Sequence, residues 1–331
     1  MQKAMLWEKT TGNQVQCKLC RQHCIISPGH RGLCRVRENK NGELYALTYG
    51  KPCSANPDPI EKKPLFHFMP GTRTFSIATA GCNFKCKHCQ NHTISQASPE
   101  QVPSKTLTPE QVVHEAIHTG CQSIAYTYTE PTVFFEYAYA VSALAHEQGL
   151  KNIFVSNGYM TPEMIDKYDS LDAANIDIKG NDRFYKEVCG ARLDGVLDSV
   201  KLLYEKGVHL EITNLIIPGY NDDKDSLLSI IEFIKDLDTS VPLHFSGFYP
   251  QYKMQDAEPT PRETLVKAHD LALEQGLNYV YCGNTYPGDP FENTYCPKCG
   301  KALIERQGYS IYSRITQNKC PSCGQELKMV F

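Results

Sequence analysis

"AGCNFKCKHCQNH", residues 80–92, sets Cys82, Cys86 and Cys89 at a Cys-x3-Cys-x2-Cys spacing directly after the apolar run "TFSIATA" of residues 74–80. Structural zinc sites take four protein ligands, and cubane iron–sulfur clusters usually have one thiolate for each of four irons. Three thiolates leave one iron of a cubane free to chelate a small molecule, much as a catalytic metal keeps one position open. The competing reading is a four-ligand zinc site completed by His88, His92 or a remote cysteine. Three close cysteines behind a strand favour the cluster.

Outward from this loop, the middle of the chain alternates two patterns. "TFSIATA", "QSIAYTY", "NIFVSN", "AANIDIK", "HLEITNLII", "PLHFSGF" and "NYVYC" read as buried strands. Between them lie amphipathic segments with helix-start signals. Thr108-Pro109-Glu110-Gln111 and Thr260-Pro261-Arg262-Glu263 each predict a threonine cap with a capping-box partner, and Thr161-Pro162-Glu163 starts a third helix. Gly149, Gly207 and Gly276 suit helix stops. The alternation implies a parallel sheet with right-handed crossovers. Gly81-Cys82, Tyr128-Thr129-Glu130, Ser156-Asn157-Gly158, Asp177-Lys179, Pro218-Gly219 and Gly283-Asn284 all fall just past a predicted strand. Strand ends converge on one mouth in a barrel, so a barrel or partial barrel is expected rather than a doubly wound sheet.

The chain has 331 residues and 15 cysteines. Its opening, "MQKAMLWEKT", has no apolar signal region, and no run approaches the length of a membrane span, so a cytoplasmic chain is expected. Reduced thiols there argue for metal binding over disulfides. The cysteines cluster accordingly in 17–34, 82–89 and 296–323, leaving Cys53, Cys121, Cys189 and Cys282 apart; Cys189 and Cys282 read as core, Cys282 bordering the mouth. Net charge is −3, with nine Lys/Arg against four Asp/Glu in residues 1–60 and six against three in 292–331. Four thiolates around one Zn²⁺ leave about −2, so metal would erase much of each excess. Nucleic-acid binding is therefore not favoured.

Cys296-x2-Cys299 and Cys320-x2-Cys323, each pair followed by glycine, read as a zinc ribbon or rubredoxin-like site, with zinc favoured over iron. Cys17, Cys20, Cys24 and Cys34 are spaced irregularly and leave zinc and a second [4Fe–4S] cluster both open, with His23 and His30 as possible substitute ligands expected to be exposed. Three units follow: a Cys-rich module at 1–60, the barrel at 61–290 and the ribbon at 291–331.

"GCNFKCKHCQN" resembles the signature of radical S-adenosylmethionine (SAM) enzymes. "CKLCRQHCIISPGHRGLCRVREN", "DPIEKKPLFHFMPG", "YTYTEPTVFFEYA", "DIKGNDRFYKEVCG", "LIIPGYND" and the last four cysteines extend the likeness along nearly the whole chain. Together they resemble the radical enzyme of the AmmeMemoRadiSam system, related to pyruvate formate-lyase-activating enzymes. The resemblance implies an α/β fold, a partial (β/α)6 TIM-like barrel, with a [4Fe–4S] cluster on Cys82, Cys86 and Cys89 and SAM on the open iron. Reductive cleavage would yield a 5′-deoxyadenosyl radical for hydrogen abstraction from an unidentified substrate. Carried over by motif, His88 would meet the adenine, Thr129 and Glu130 the methionine amine, and Ser156 and Asn157 the ribose. Asp177, Ile178 and Lys179 match an Asp-Leu-Lys element, and Gln90 completes the cofactor-binding set. A flavodoxin or ferredoxin would supply electrons, and AMMECR-domain and Memo-like proteins are implied partners. Two departures stand out. Val155-Ser156-Asn157-Gly158 lacks the carboxylate of the activases' cation-associated Asp-Thr-Asn-Gly, and Phe248-Tyr249 stands where they carry a histidine, with His244 upstream.

Plainer readings complete the chain. "HEAIH", 114–118, matches a zinc-peptidase pattern, but Val112, Val113, Ala116 and Ile117 share the helix face opposite the histidines. "VFFEYAYAVSALA", 133–145, reads as a helix against the barrel, and "DPIEKKPLFHFMPG" as a linker or a lid over the mouth. A glycyl-radical activase is the rival within catalysis, and a non-catalytic iron–sulfur/zinc scaffold the rival outside it.

Overall fold

The computed structural model describes residues 1–285 and 289–331. An eight-stranded sheet forms its centre. Edge strand β1 (Ser54–Pro59) runs antiparallel to β2 (Arg73–Ala78). From β2 onward every neighbour is parallel and follows chain order: β3 (Ser123–Tyr126), β4 (Lys151–Ser156), β5 (Ala173–Asp177), β6 (His209–Ile216), β7 (Leu243–Gly247) and β8 (Val280–Gly283). The strands alternate with α1 (Pro109–His118), α2 (Phe135–Glu147), α3 (Pro162–Lys167), α4 (Leu193–Glu205), α5 (Lys224–Leu237) and α6 (Arg262–Glu274). A doubly wound sheet reverses strand order at a switch point. This one never does, and its edges β1 and β8 do not pair, so six βα units and a last strand make an open barrel.

The parallel strands form because near-continuous apolar runs need cover on both faces. Helix starts follow local chemistry, with one exception. Thr108 and Gln111 make the expected reciprocal bonds at α1, 2.8 and 3.3 Å, and Thr161 caps α3. Thr260 does not cap α6. Its hydroxyl donates to the Ile216 carbonyl (2.6 Å) and accepts from the Phe248 amide (2.8 Å), tying two strand ends together, so Pro261 becomes the N-cap residue. On α1, Ile117 is 49% exposed rather than part of the buried face. Cys282 is buried, with its sulfur toward the Leu265 carbonyl of α6 and away from the mouth.

Two three-stranded antiparallel sheets occupy the N-terminal stretch, the last strand being Glu43–Ala46. Since β1 belongs to the barrel sheet, the N-terminal module's own strands end well before residue 60. At the other end, β9 (Thr294–Tyr295), β10 (Ala302–Gln307) and β11 (Ser310–Ser313) form the ribbon sheet.

Residues 58–71 are a floor, neither the linker nor the lid that the sequence left open. Ile60, Leu65 and Phe68 pack on Ala125, Ile153 and Ala173 inside the barrel. Such apolar side chains gain about 1.5–3 kcal/mol each from burial, and the open barrel offers them an interior. Their backbone is satisfied there: Glu211, near the start of β6, accepts from the Phe66 and His67 amides at 3.0 and 2.7 Å and from His244 at 2.7 Å. His244, whose role the sequence left open, is thus part of the floor. Buried Lys63 pairs with Asp58 at 2.9 Å and lies 4.4 Å from the Tyr128 ring centroid, while burial lowers its pKa to about 8.

Candidate active site

The carboxyl ends of the parallel strands open into a cavity of about 540 Å³. Cys82, Cys86 and Cys89 line it, and so do His88, Gln90, Thr129, Glu130, Ser156, Asn157, Asp177 and Lys179. Ile178 is the exception among the sequence-predicted residues. Its side chain is buried in the core, and only its backbone works locally, its carbonyl accepting from Asn214 at 2.8 Å. Strand alternation explains this: Asp177 and Lys179 share one face and the residue between them takes the other.

The cysteine loop is held from both sides. On one side the Lys85 and Lys87 amides donate to the carbonyls of Cys189 (2.8 Å) and Val188 (3.0 Å). On the other, the N-terminal module presses against Gly81. With φ of 95°, a side chain there would be strained, and its Cβ would fall 2.6 Å from the Cys34 carbonyl oxygen. Gln22 also donates to the Asn83 carbonyl, 2.9 Å.

Donors are aimed at the sulfurs. The Phe84 amide lies 3.4 Å from Cys82 Sγ, Asn157 Nδ2 lies 3.8 Å from it, and Ser95 Oγ lies 3.2 Å from Cys89 Sγ. His88 is 5% exposed, and its Nδ1 has no partner. Burial, reinforced by the Lys179 charge, takes its pKa down to about 3, so the ring is neutral. Three inward thiols, donors on two of them and a buried ring nitrogen awaiting a partner fit a cluster and a polar aromatic ligand.

Glu130 organises the opposite wall. It accepts from the Thr132 amide (3.0 Å) and hydroxyl (2.6 Å), the Ser156 hydroxyl (2.7 Å) and the Asn157 amide (2.8 Å). Burial nevertheless raises its pKa. Lys179 donates to Asp177 at 2.7 Å. Burial opposes the lysine charge, but the adjacent carboxylate outweighs it and the pKa rises. Phe248 is buried and Tyr249 is 57% exposed, and neither lines the cavity.

Sequence reasoning missed several cavity residues. Lys62 comes from the floor segment and Tyr309 from the turn between β10 and β11 of the ribbon. No local pattern marks either, because each arrives from a remote segment. Asn91 was within reach of motif reading, since it follows the third cysteine by two; it donates to the Tyr128 carbonyl at 2.8 Å.

The ribbon sulfurs converge. Cys296 and Cys323 are 3.6 Å apart, Cys299 and Cys320 3.8 Å, and all four lie within 4.8 Å of one another. Zn–S bonds of about 2.3 Å in a tetrahedron place sulfurs roughly 3.8 Å apart. His114 and His118 are exposed on α1, outside the cavity lining. No helix among the described residues is long and apolar enough to cross a membrane.

Residues 76–234 match the model of the Radical SAM superfamily. "Uncharacterized protein MJ0808" of Methanocaldococcus jannaschii is 52% identical over 334 residues, covering 100% of each chain. The pyruvate formate-lyase 1-activating enzyme of Escherichia coli K12 is 22% identical over 229 residues, 64% of this chain and 93% of its own. Among solved structures, Streptococcus suis SuiB bound to S-adenosylmethionine shares the fold with a TM-score of 0.51 at 11% identity, covering 64% of this chain and 52% of that one.

Proposed function

This chain belongs to the Radical SAM superfamily, and on that premise we propose that it is an enzyme that cleaves S-adenosylmethionine reductively at a [4Fe–4S] cluster held by Cys82, Cys86 and Cys89. The observation that carries this reading is the meeting of those three thiols with His88, Glu130, Asn157 and Lys179 around one cavity. When bound and reduced by one electron, the cluster supplies the electron that breaks the sulfonium bond and yields a 5′-deoxyadenosyl radical. The protein's share is positioning and exclusion of water. His88 would face the adenine. Glu130 braces Ser156 and Asn157 toward the ribose and keeps its remaining acceptor capacity for the methionine amine beside Thr129. Lys179 would meet the cofactor carboxylate, and Gln90 would close the rim. Asp177 holds Lys179 in place.

The ribbon would hold zinc, a structural role suited to a patch with a small core of its own. The chain would work in the cytoplasm with a one-electron donor such as flavodoxin or ferredoxin, and with AMMECR-domain and Memo-like proteins. A glycyl-radical activase is a second reading, favoured by the likeness to the Escherichia coli activating enzyme. Anaerobic incubation with SAM and a low-potential reductant tests the main reading. Deoxyadenosine should form, be abolished by Cys86→Ser and be untouched by His114→Ala. Formation retained in Cys86→Ser would overturn it. Deuterium passing from a labelled partner glycine into deoxyadenosine would select the activase.

A further inference from the structure

Cys17, Cys20, Cys24 and Cys34 line one enclosed space, together with Leu33, Arg37, Asn83 and Val133. Among the described residues, the ribbon cysteines alone form a group of three or more possible metal ligands whose donor atoms all lie within 4.8 Å of one another. The N-terminal four, like the three of the 82–89 loop, form no such close group, and the N-terminal four line a common void. Four thiolates gathered on a single zinc ion leave no such room, as the 3.6 and 3.8 Å sulfur separations of the ribbon illustrate. A cubane places four irons and four sulfides between its thiolates, and so holds them far apart.

The lining points independently to an anionic, acceptor-rich occupant. Arg37 is 2% exposed and gives both terminal nitrogens to Glu136, each at 2.8 Å. Its Nε has no partner, nor has Nδ2 of Asn83, which is also 2% exposed. Two buried donors left idle cost about 1–3 kcal/mol each unless something in the space accepts from them. The sulfides and thiolates of a cluster would do so.

We propose that the four N-terminal cysteines hold a second [4Fe–4S] cluster that relays single electrons to the first. The site is placed for it. Asn83 lines the space, adjoins Cys82 in sequence and accepts from Asn157 through Oδ1 at 2.8 Å, so one residue joins the two sites. On the outer side Leu33 is 44% exposed and Ile25 next to Cys24 is 64% exposed, leaving the site one apolar layer from solvent. A reduced one-electron carrier protein gives up one electron and is oxidised. The N-terminal cluster takes it and returns to its oxidised state on passing it to the other cluster, with no bond made or broken.

The relay rests on the radical reading above, but the identity of the occupant does not, and the two are tested apart. In the triple variant Cys82→Ala/Cys86→Ala/Cys89→Ala, anaerobic expression and reconstitution should leave roughly four irons and four sulfides per chain, with a paramagnetic signal on reduction. Zinc without sulfide at this site, or no metal, overturns the proposal. For the relay, Cys24→Ala should slow reduction of the 82–89 cluster by a flavodoxin at least tenfold while dithionite reduces it as before. Equal rates with flavodoxin overturn the relay and leave the occupant to the iron and sulfide count.

Discussion

The guanidinium of Arg306, on ribbon strand β10, stacks 4.1 Å from the ring centroid of Phe66 in the barrel floor and donates to the Phe66 carbonyl at 2.9 Å. The same side chain donates to Glu292 O (2.9 Å) and Thr294 Oγ1 (2.8 Å). The ribbon is therefore fastened to the barrel by a buried cation, and the chain's end joins in, Val330 exchanging backbone bonds with the 67–69 stretch at 2.7 and 2.8 Å.

Arg306→Met should accordingly destabilise the protein by about 2–3 kcal/mol, by orphaning buried acceptors and removing the stack. Chemical denaturation would read this. Release of ribbon metal by a chelator should also become faster in the variant; an unchanged rate would mean that the ribbon folds independently of its anchor.

Arg37 and Glu136 form a bidentate pair, each side chain 2% exposed. Removing one partner strands a buried charge, so Glu136→Leu or Arg37→Met alone should cost about 3–5 kcal/mol. The double variant Arg37→Met/Glu136→Leu should recover most of that loss, giving a coupling energy of at least about 2 kcal/mol in a double-mutant cycle. Additive losses would contradict the pairing.

Acid should destabilise the fold through His67. Its Nδ1 lies 3.2 Å from the Lys328 carbonyl, which can only accept, so Nδ1 carries the proton and Nε2 accepts from the Tyr281 hydroxyl at 2.6 Å. Burial lowers its pKa to about 3. Below an unfolded pKa of about 6.5 the unfolded chain gains a proton that the folded one refuses, so stability falls by up to about 1.4 kcal/mol per pH unit. Glu211 adds to this. Burial opposes its ionisation, but His209 and His244 hold its pKa below the usual range, so its contribution is lost as pH falls through the acid range. His67→Gln should be less stable near neutrality yet show a shallower decline between pH 6.5 and 4.5 in thermal melts. A slope identical to that of the parent protein would remove His67 from the account.

Glu130 should matter for cofactor binding more than for folding of the barrel at large. Glu130→Gln replaces an acceptor that serves four donors by one that brings two hydrogens of its own. SAM affinity in the cluster-loaded protein should fall about tenfold, or about 1.4 kcal/mol, while iron content stays at the parent level. Equal affinity, measured by equilibrium binding, would free Glu130 of the role.

Local signals carried much of this molecule. The seven parallel strands, the caps at Thr108 and Thr161, the three-thiol loop and the paired ribbon cysteines were all legible, because each depends on residues a few positions apart. Thr260 was misread because the nearest use of a hydroxyl is a helix cap, whereas its actual partners, Ile216 and Phe248, lie 44 and 12 residues away.

What needed the folded chain was everything settled by distance across the sequence. That residues 58–71 run beneath the cavity follows from an open barrel having an apolar interior to fill, and Glu211, 145 positions from Phe66, satisfies the amides carried inside. That Tyr309 reaches the cavity follows from the Arg306 anchor. That the ribbon sulfurs gather within 4.8 Å of one another while the N-terminal four form no such group is likewise invisible to spacing, since similar cysteine intervals can serve one ion or a cube of irons and only the surrounding packing decides how the thiols stand.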